Sequence, residues 1–188
     1  MQVNTNKIEQ SLASVPMPSQ TTHRNELVGN CWFVENFKDN NDVAVAVKDI
    51  KEKVYVENCV GSNIKVESKV NVVMISNCKK SAFILSDIIS SVELVGTHDS
   101  AIQLNGKCGT LSLDKCEGIT IVFSNEETKK SCHIHSSTRC SNIRLVCASD
   151  ESKEYLLPNL ISTQFCARSG KFVSSICDKD CDISSAMN

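Results

Sequence analysis

Val43 to Cys59 (VAVAVKDIKEKVYVENC) lies over Ser62 to Cys78 (SNIKVESKVNVVMISNC), Ser81 to Thr97 (SAFILSDIISSVELVGT) and Ser100 to Cys116 (SAIQLNGKCGTLSLDKC), 19 residues apart each time with no gap. Aligned in this way, Val45, Ile64, Phe83, Ile102 and Ile121 share one column, and Val47, Val66, Leu85, Leu104 and Phe123 a second. Val54, Val73, Val92 and Leu111 make a third, and Val56, Ile75, Leu94 and Leu113 a fourth. A short fixed period of this kind marks stacked units that bury their apolar faces against their neighbours.

Within each unit the apolar residues alternate and are rich in β-branched types, as in Ile64 and Val66 or Val73 and Ile75. That is the period of strands with one face turned inward. Nineteen residues are too few for a strand, an amphipathic helix and two loops, and the leucine-rich pattern is missing. They fit one coil of a parallel β-helix, with about three strands of four to five residues. The expected fold is therefore all-β, a β-helix of about six short coils. No proline stands between Pro18 and Pro158, which suits ladders in which nearly every N–H donates. Polar clusters such as 60–63, 78–81, 96–100 and 115–118 supply the corners.

The flanks differ in character. Residues 1–28 are polar, hold Pro16 and Pro18 and show no sustained period, so they are expected to be a flexible tail. Trp32, in a cluster of aromatic residues just before the first repeat, is expected to cap the exposed end of the stack. After Phe123 the register slips at residues 124–130, read as a protruding loop that inserts about two residues before Cys132 and Ile134 resume the inward positions. Residues 149–157 are acidic and polar, and Pro158 marks a break. Gln164 to Ala167, a turn at Arg168-Ser169-Gly170 and Lys171 to Cys177 read as a hairpin outside the register. Such a hairpin can cover the open end of its own stack or exchange with a second copy. The chain thus divides into a tail over 1–28, a β-helix over 29–160, a hairpin over 161–180 and a second tail over 181–188.

Composition bounds the chemistry. The 188 residues are 41% apolar and 22% charged, enough for one domain with a core of its own. A net charge of −2 with both signs interspersed gives no cationic field for a polyphosphate, which argues against nucleic acid. No apolar run reaches the roughly 18 residues of a membrane span, and the first 30 residues lack a signal-peptide core, so a cytosolic protein with free thiols is expected. The eleven cysteines include no C-x-x-C. Cys59, Cys78 and Cys116 share a column with Thr97 and read as small corner residues, not as a metal ladder. On a strand, Cys132 points away from His133 and His135, which leaves two histidines without a third ligand. Only four histidines are present, with no G-x-S-x-G elbow, P-loop or G-x-G-x-x-G, and Asp49, Asp87 and Asp114 stand singly. No enzyme site, cofactor or metal is expected, and function falls to the surface.

Several ordered motifs point to a family. Trp32-Phe33-Val34-Glu35-Asn36 resembles a W-x-V-E-N opening, Val66 to Asn71 resembles V-x-G-K-V-N, and Asn77-Cys78-Lys79-Lys80 matches N-C-K-K. Arg139 to Arg144 lies against K-S-S-E-M-N, Gln164-Phe165 against P-E-Q-F, and Lys171 to Ser175 against K-L-V-T-T. Together these resemble the C-terminal domain of the cyclase-associated proteins over about Trp32 to Cys177. The resemblance implies a right-handed parallel β-helix whose C-terminal strands swap into a partner. It implies a homodimer that binds monomeric (G-)actin, prefers the ADP form and helps recharge it with ATP, without being an enzyme. A cytoplasmic, cytoskeleton-associated location follows from the same likeness. It makes Lys69, Asn71, Asn77, Lys79, Lys80, Arg139, Ser141 and Asn142 the candidate actin-contact residues. Gln164, Phe165, Phe172, Val173 and Ile176 are the candidate dimerisation residues. One alternative is a GTPase-activating domain resembling that of tubulin-folding cofactor C, which needs an arginine in a Q-x-R motif. Gln103 is followed by Leu104-Asn105, so that motif is missing. A scaffold without actin affinity is the other alternative.

Overall fold

In a computed structural model, which describes residues 22–166, 168 and 171–177, the repeat folds as a β-solenoid of about six turns. Each turn contributes one strand to each of two ladders. The first ladder holds β1 (Arg24–Val28), β2 (Cys31–Glu35), β4 (Lys53–Glu57), β6 (Val70–Ser76), β8 (Ile88–Val95), β10 (Cys108–Asp114) and β12 (His133–Ser136). The second runs β3 (Val43–Val45), β5 (Asn63–Val66), β7 (Ala82–Leu85), β9 (Ala101–Leu104), β11 (Thr120–Phe123), β13 (Arg144–Cys147) and β14 (Asp150–Leu156). Strands within each ladder are parallel except at its end, where β1 lies antiparallel on β2 and β14 antiparallel on β13.

The alternation seen in the sequence decides which side chains are enclosed. Ile64, Val66, Val73, Ile75, Ile102, Leu104, Leu111 and Ile121 have almost no exposed surface and pack as columns between the ladders. A coil is short of a third strand: the third side narrows to a chain of single-residue bridges, Lys38, Val60, Lys79, His98, Glu117 and Ser141. Three strands per coil were expected, but the corners on both flanks of this bridge adopt left-handed backbone, which leaves no length for a ladder. One left-handed column runs Asn36, Asn58, Asn77, Gly96 and Lys115, the other Asp39, Gly61, Lys80, Asp99, Gly118 and Asn142. Asparagine, aspartate and glycine are the residues that tolerate this region, which explains the polar clusters.

Four further expectations need correction. The 19-residue period does not start at Val45: Val43 pairs Ile64 and Val45 pairs Val66, 21 residues on, so the first coil is longer and its inward columns begin at Val43 and Val45. From β4 to β10 the spacing of 19 holds, as Val54 opposite Val73 opposite Val92 opposite Leu111 shows. Residues 24–28 are a strand and not part of a flexible tail, because the first ladder would otherwise expose the backbone groups of β2. For the same reason the end of the stack is covered by β1 and not by Trp32 alone. Trp32 is half-buried in β2, its Nε1 donating to Glu52 Oε2 at 2.6 Å. The expected loop after Phe123 contains a one-and-a-half-turn helix, α1 (Glu126–Ser131), capped by Asn125 Oδ1, which accepts from Thr128 N at 2.9 Å. It inserts more than two residues, since Leu111 pairs Ile134, 23 residues on. The acidic stretch after Ser149 is strand β14, where its antiparallel pairing closes the second ladder.

The hairpin expectation holds for the backbone. β15 (Leu160–Cys166) and β16 (Lys171–Cys177) pair antiparallel from Leu160–Cys177 to Cys166–Lys171, in a two-stranded sheet separate from the ladders. The tails over 1–21 and 178–188 lie outside the described residues. Among the described residues, no helix is long and apolar enough to cross a membrane.

Candidate functional site

The narrow third side of the solenoid is where most of the candidate contact residues meet. In residues 77–80, Asn77 has φ +52°, Cys78 turns inward, Lys79 forms the bridge and Lys80 has φ +50°. Residues 139–142 repeat the arrangement: Cys140 is buried, Ser141 forms the bridge and Asn142 has φ +54°. The bridges Lys79–His98–Glu117–Ser141 place the two segments on one edge, three coils apart, or about 14 Å at the usual strand spacing. Asn77, Lys79, Lys80, Arg139 and Asn142 are exposed there, and Ser141 half-exposed. Lys69 and Asn71 are not part of this edge. They flank the start of β6, a seven-residue strand whose far end reaches Asn77, about 20 Å away.

Thiols and hydroxyls on the inner side hold the edge in place. Cys59, Cys78, Thr97 and Cys116 each donate to the carbonyl two residues earlier, at 3.4, 3.3, 3.4 and 3.3 Å. Those carbonyls precede the left-handed residue and also accept a backbone N–H from the preceding coil, so the small side chain supplies the second bond a carbonyl can accept. Burial pushes the Cys116 thiol up, and the neighbouring Cys59 thiol together with burial pushes Cys78 up, so these are inert structural thiols. A serine column runs beside them. Ser62, Ser81 and Ser100 are buried; Ser81 Oγ accepts from Ser62 N at 3.2 Å and Ser100 Oγ from Ser81 N at 3.1 Å. In turn Ser81 Oγ donates to Lys79 O at 2.9 Å and Ser100 Oγ to His98 O at 2.7 Å. The serine ladder thereby fixes the carbonyls of the very residues that form the exposed edge.

Arg139 carries its charge inward along the surface. Its Nη2 lies 2.7 Å from both oxygens of Asp114, and Ser137 Oγ donates to Asp114 Oδ1 at 2.7 Å. The Ser137 hydroxyl first, and the Arg139 guanidinium after it, hold the Asp114 carboxyl below the usual carboxylate range. The sequence names Arg139 as a contact candidate and leaves Asp114 standing singly, because the two are 25 residues apart across the α1 insertion.

A second surface went unread. On the outer face of the first ladder the Arg24 guanidinium sits 4.6 Å above the Phe33 ring, and Phe33 stacks on Tyr55 with centroids 5.7 Å apart. Met74 is next in register. The signal was present as outward-facing positions of β2, β4 and β6, but the irregular first coil hid their alignment.

For metals, His133 and His135 do share the outward face of β12, with Ile134 inward. Among the described residues, no three His, Cys, Asp or Glu side chains come together. At the far end of the stack a cavity of about 590 Å³ is lined by Phe123, Ile134, Leu145, Tyr155 and the thiols of Cys132 and Cys147, among others. Of the dimerisation candidates, Phe172 and Val173 are 75% and 49% exposed on β16. The side chains of Gln164, Phe165 and Ile176 lie outside the described residues.

These features define a β-solenoid of the kind that works through displayed edges and faces. The profile of the family described as "Adenylate cyclase associated (CAP) C terminal" matches residues 17–179. Human adenylyl cyclase-associated protein 2 is 31% identical over 138 residues, which are 73% of this chain and 28% of the relative. Bovine adenylyl cyclase-associated protein 1 is 27% identical over 133 residues, 71% of this chain and 25% of the relative. A crystal structure of the cyclase-associated protein from Cryptosporidium parvum superposes with a TM-score of 0.76 at 31% identity, covering 83% of this chain and 96% of that one. The chain belongs to the cyclase-associated protein family, in its C-terminal domain. It spans less than a third of the length of the adenylyl cyclase-associated proteins it matches.

Proposed function

We propose that this protein binds monomeric actin, favours the ADP-bound form and promotes nucleotide exchange, returning monomers to filament assembly in the cytoplasm. The observation that carries this reading is the match over residues 17–179 to a C-terminal domain whose likeness to actin-monomer binders was drawn from the motifs. The edge formed by Asn77, Lys79, Lys80, Ser141 and Asn142 is the primary contact in this reading. Lys69 and Asn71 belong to a separate contact, and Arg139 acts by holding the edge through Asp114. No catalytic residue, cofactor or metal takes part: a domain that binds one nucleotide state of actin more tightly than another shifts actin's own nucleotide affinity by the same coupling free energy. The family placement does not favour the GTPase-activating alternative.

The same reading assigns the β15–β16 hairpin to pairing between two copies of the chain, with Gln164, Phe165, Phe172, Val173 and Ile176 at the interface. A hairpin standing outside both ladders supports it. Pulldown and nucleotide-exchange assays with ADP-actin monomers test the function: binding at micromolar protein is expected, and none at that concentration overturns it. Light scattering on the full chain and on a chain lacking residues 160–188 tests the pairing, with a dimer expected only for the former.

A further inference from the structure

Three cysteine pairs bridge neighbouring coils: Cys59 with Cys78, Cys116 with Cys140, and Cys108 with Cys132. The first two are sealed, with all four thiols buried at 0–2% exposure. The third is different. Cys108 opens β10 with no exposed surface, while Cys132, one residue before β12, is half-exposed and lines the cavity at the end of the stack. β10 and β12 are parallel neighbours, with Thr110 opposite His133 and Leu111 opposite Ile134. That register sets Cys132 one residue past the position opposite Cys108, and a stagger of about 3.3 Å between strands about 4.8 Å apart places the two Cα atoms about 6 Å apart, inside the separation of about 4.4 to 6.8 Å that a disulfide spans.

We propose that Cys108 and Cys132 form a peroxide-oxidised dithiol, in which cavity-facing Cys132 reacts first and buried Cys108 resolves it as a disulfide joining the last two coils of the first ladder. Both side chains turn to the core side, Cys108 fully buried and Cys132 packed against the buried cluster. The Cys108 S–H donates to Thr110 O at 3.4 Å; the neighbouring Cys132 thiol and burial push Cys108 up, and the Cys108 thiol pushes Cys132 down. Cys132 is the sulfur that peroxide reaches, since Cys108 has no exposed surface, and its thiolate is the nucleophile.

The steps balance. Cys132 Sγ as thiolate attacks one oxygen of hydrogen peroxide; an S–O bond forms, the O–O bond breaks, and hydroxide leaves and takes up a proton as water. Cys132 is now a sulfenic acid. Cys108 Sγ then attacks Cys132 Sγ; the S–S bond forms, the S–O bond breaks, and the departing hydroxide takes the Cys108 proton as a second water. Two thiols are oxidised by two electrons and one peroxide is reduced to two waters. Cys147, also lining the cavity, has its Sγ 3.1 Å from Ser149 Oγ.

The bond adds a covalent link to the hydrogen-bonded pair β10 and β12, which the α1 insertion separates only in sequence. The last coil, which carries residues 139–142 of the exposed edge, is fastened to the stack as a result.

The test is treatment of the full chain with hydrogen peroxide under native conditions, then alkylation, digestion and mass mapping. The expected result is one crosslinked peptide pair, Cys108 with Cys132, lighter by two hydrogen atoms and restored by dithiothreitol. Cys108→Ser should leave Cys132 as a sulfenic acid trapped by dimedone, and Cys132→Ser should leave Cys108 reduced. Circular dichroism on each variant checks that it folds. Oxidation of Cys59, Cys78, Cys116 and Cys140 at the same rate would assign the reaction to unfolded chains and overturn the proposal. So would Cys132 oxidation in the unmodified chain without capture by Cys108, or a chain in which neither thiol reacts.

Discussion

Arg139 grips Asp114 through one nitrogen, Nη2, which lies 2.7 Å from each carboxylate oxygen. The contact fastens the last corner of the solenoid to the strand beneath it, past the α1 insertion. Both side chains reach solvent, so the pair orders a surface more than it stabilises the fold. Arg139→Ala should leave the melting temperature within a degree or two of the parent while amide exchange in residues 137–142 accelerates. Equal protection in parent and variant would show that the corner stands without the pair.

The pH dependence follows from the same contact. Asp114 ionises below an ordinary aspartate, whose pKa is about 3.9. A depressed folded-state pKa gives a contribution that is present above the unfolded value and is lost as pH falls through the folded one. Carbon-detected titration should therefore find Asp114 still charged where exposed aspartates have half protonated. Ser137→Ala should move its midpoint upward, because the Ser137 hydroxyl is the larger of the two stabilising contacts.

The serine column predicts a loss of stability from a buried position directly beneath the exposed edge. Ser81→Ala removes the acceptor of Ser62 N–H and the donor to Lys79 O in a buried position. An orphaned buried group costs about 1 to 3 kcal/mol, which urea denaturation can resolve. Ser81→Ala should lower the midpoint clearly, whereas Ser86→Ala, half-exposed beyond the end of β7, should not.

Gly106 and Gly29 separate two reasons for glycine. A Cβ on Gly106 would lie 2.7 Å from Asp87 N and 2.9 Å from its Cα, so the coils would have to part. Gly29 has open space around it but φ +64°. Gly29→Ala should cost about 1 to 2 kcal/mol for the left-handed backbone alone. Gly106→Ala should cost more, and the reverse order in denaturant midpoints would refute the close approach between coils.

The inward columns were legible because burial between two ladders forces strict alternation, as at Ile64 and Val66 or Ile102 and Leu104. The corners were legible in kind, since Asn58, Asn77 and Gly96 mark left-handed backbone. What escaped were features set by partners remote in sequence. β1 shows little alternation, with four of its five residues exposed, and it is a strand because β2 needs a partner. The first coil hid its two extra residues because Val47 is buried as the expected column required, though it lies outside the strand. Lys69 and Asn71 joined Lys79 and Lys80 as candidates through two family motifs, and motifs carry no distance: the extended strand β6 separates the two pairs in space.

That separation makes the sharpest prediction about function. Lys79 and Lys80 sit on exposed corner positions whose backbone is held by Ser81 Oγ and by the carbonyls of Cys59 and His98, so charge reversal there removes surface charge without disturbing the core. Lys79→Glu with Lys80→Glu should weaken binding to ADP-actin roughly tenfold, or about 1.4 kcal/mol, mainly through slower, salt-dependent association. Melting should stay nearly unchanged. Lys69→Glu with Asn71→Ala, at the other end of β6, should change affinity much less if the third side is the principal contact. Equal losses from both pairs would mean that actin covers the length of the strand. A loss confined to Lys69 and Asn71 would move the contact off the corner altogether.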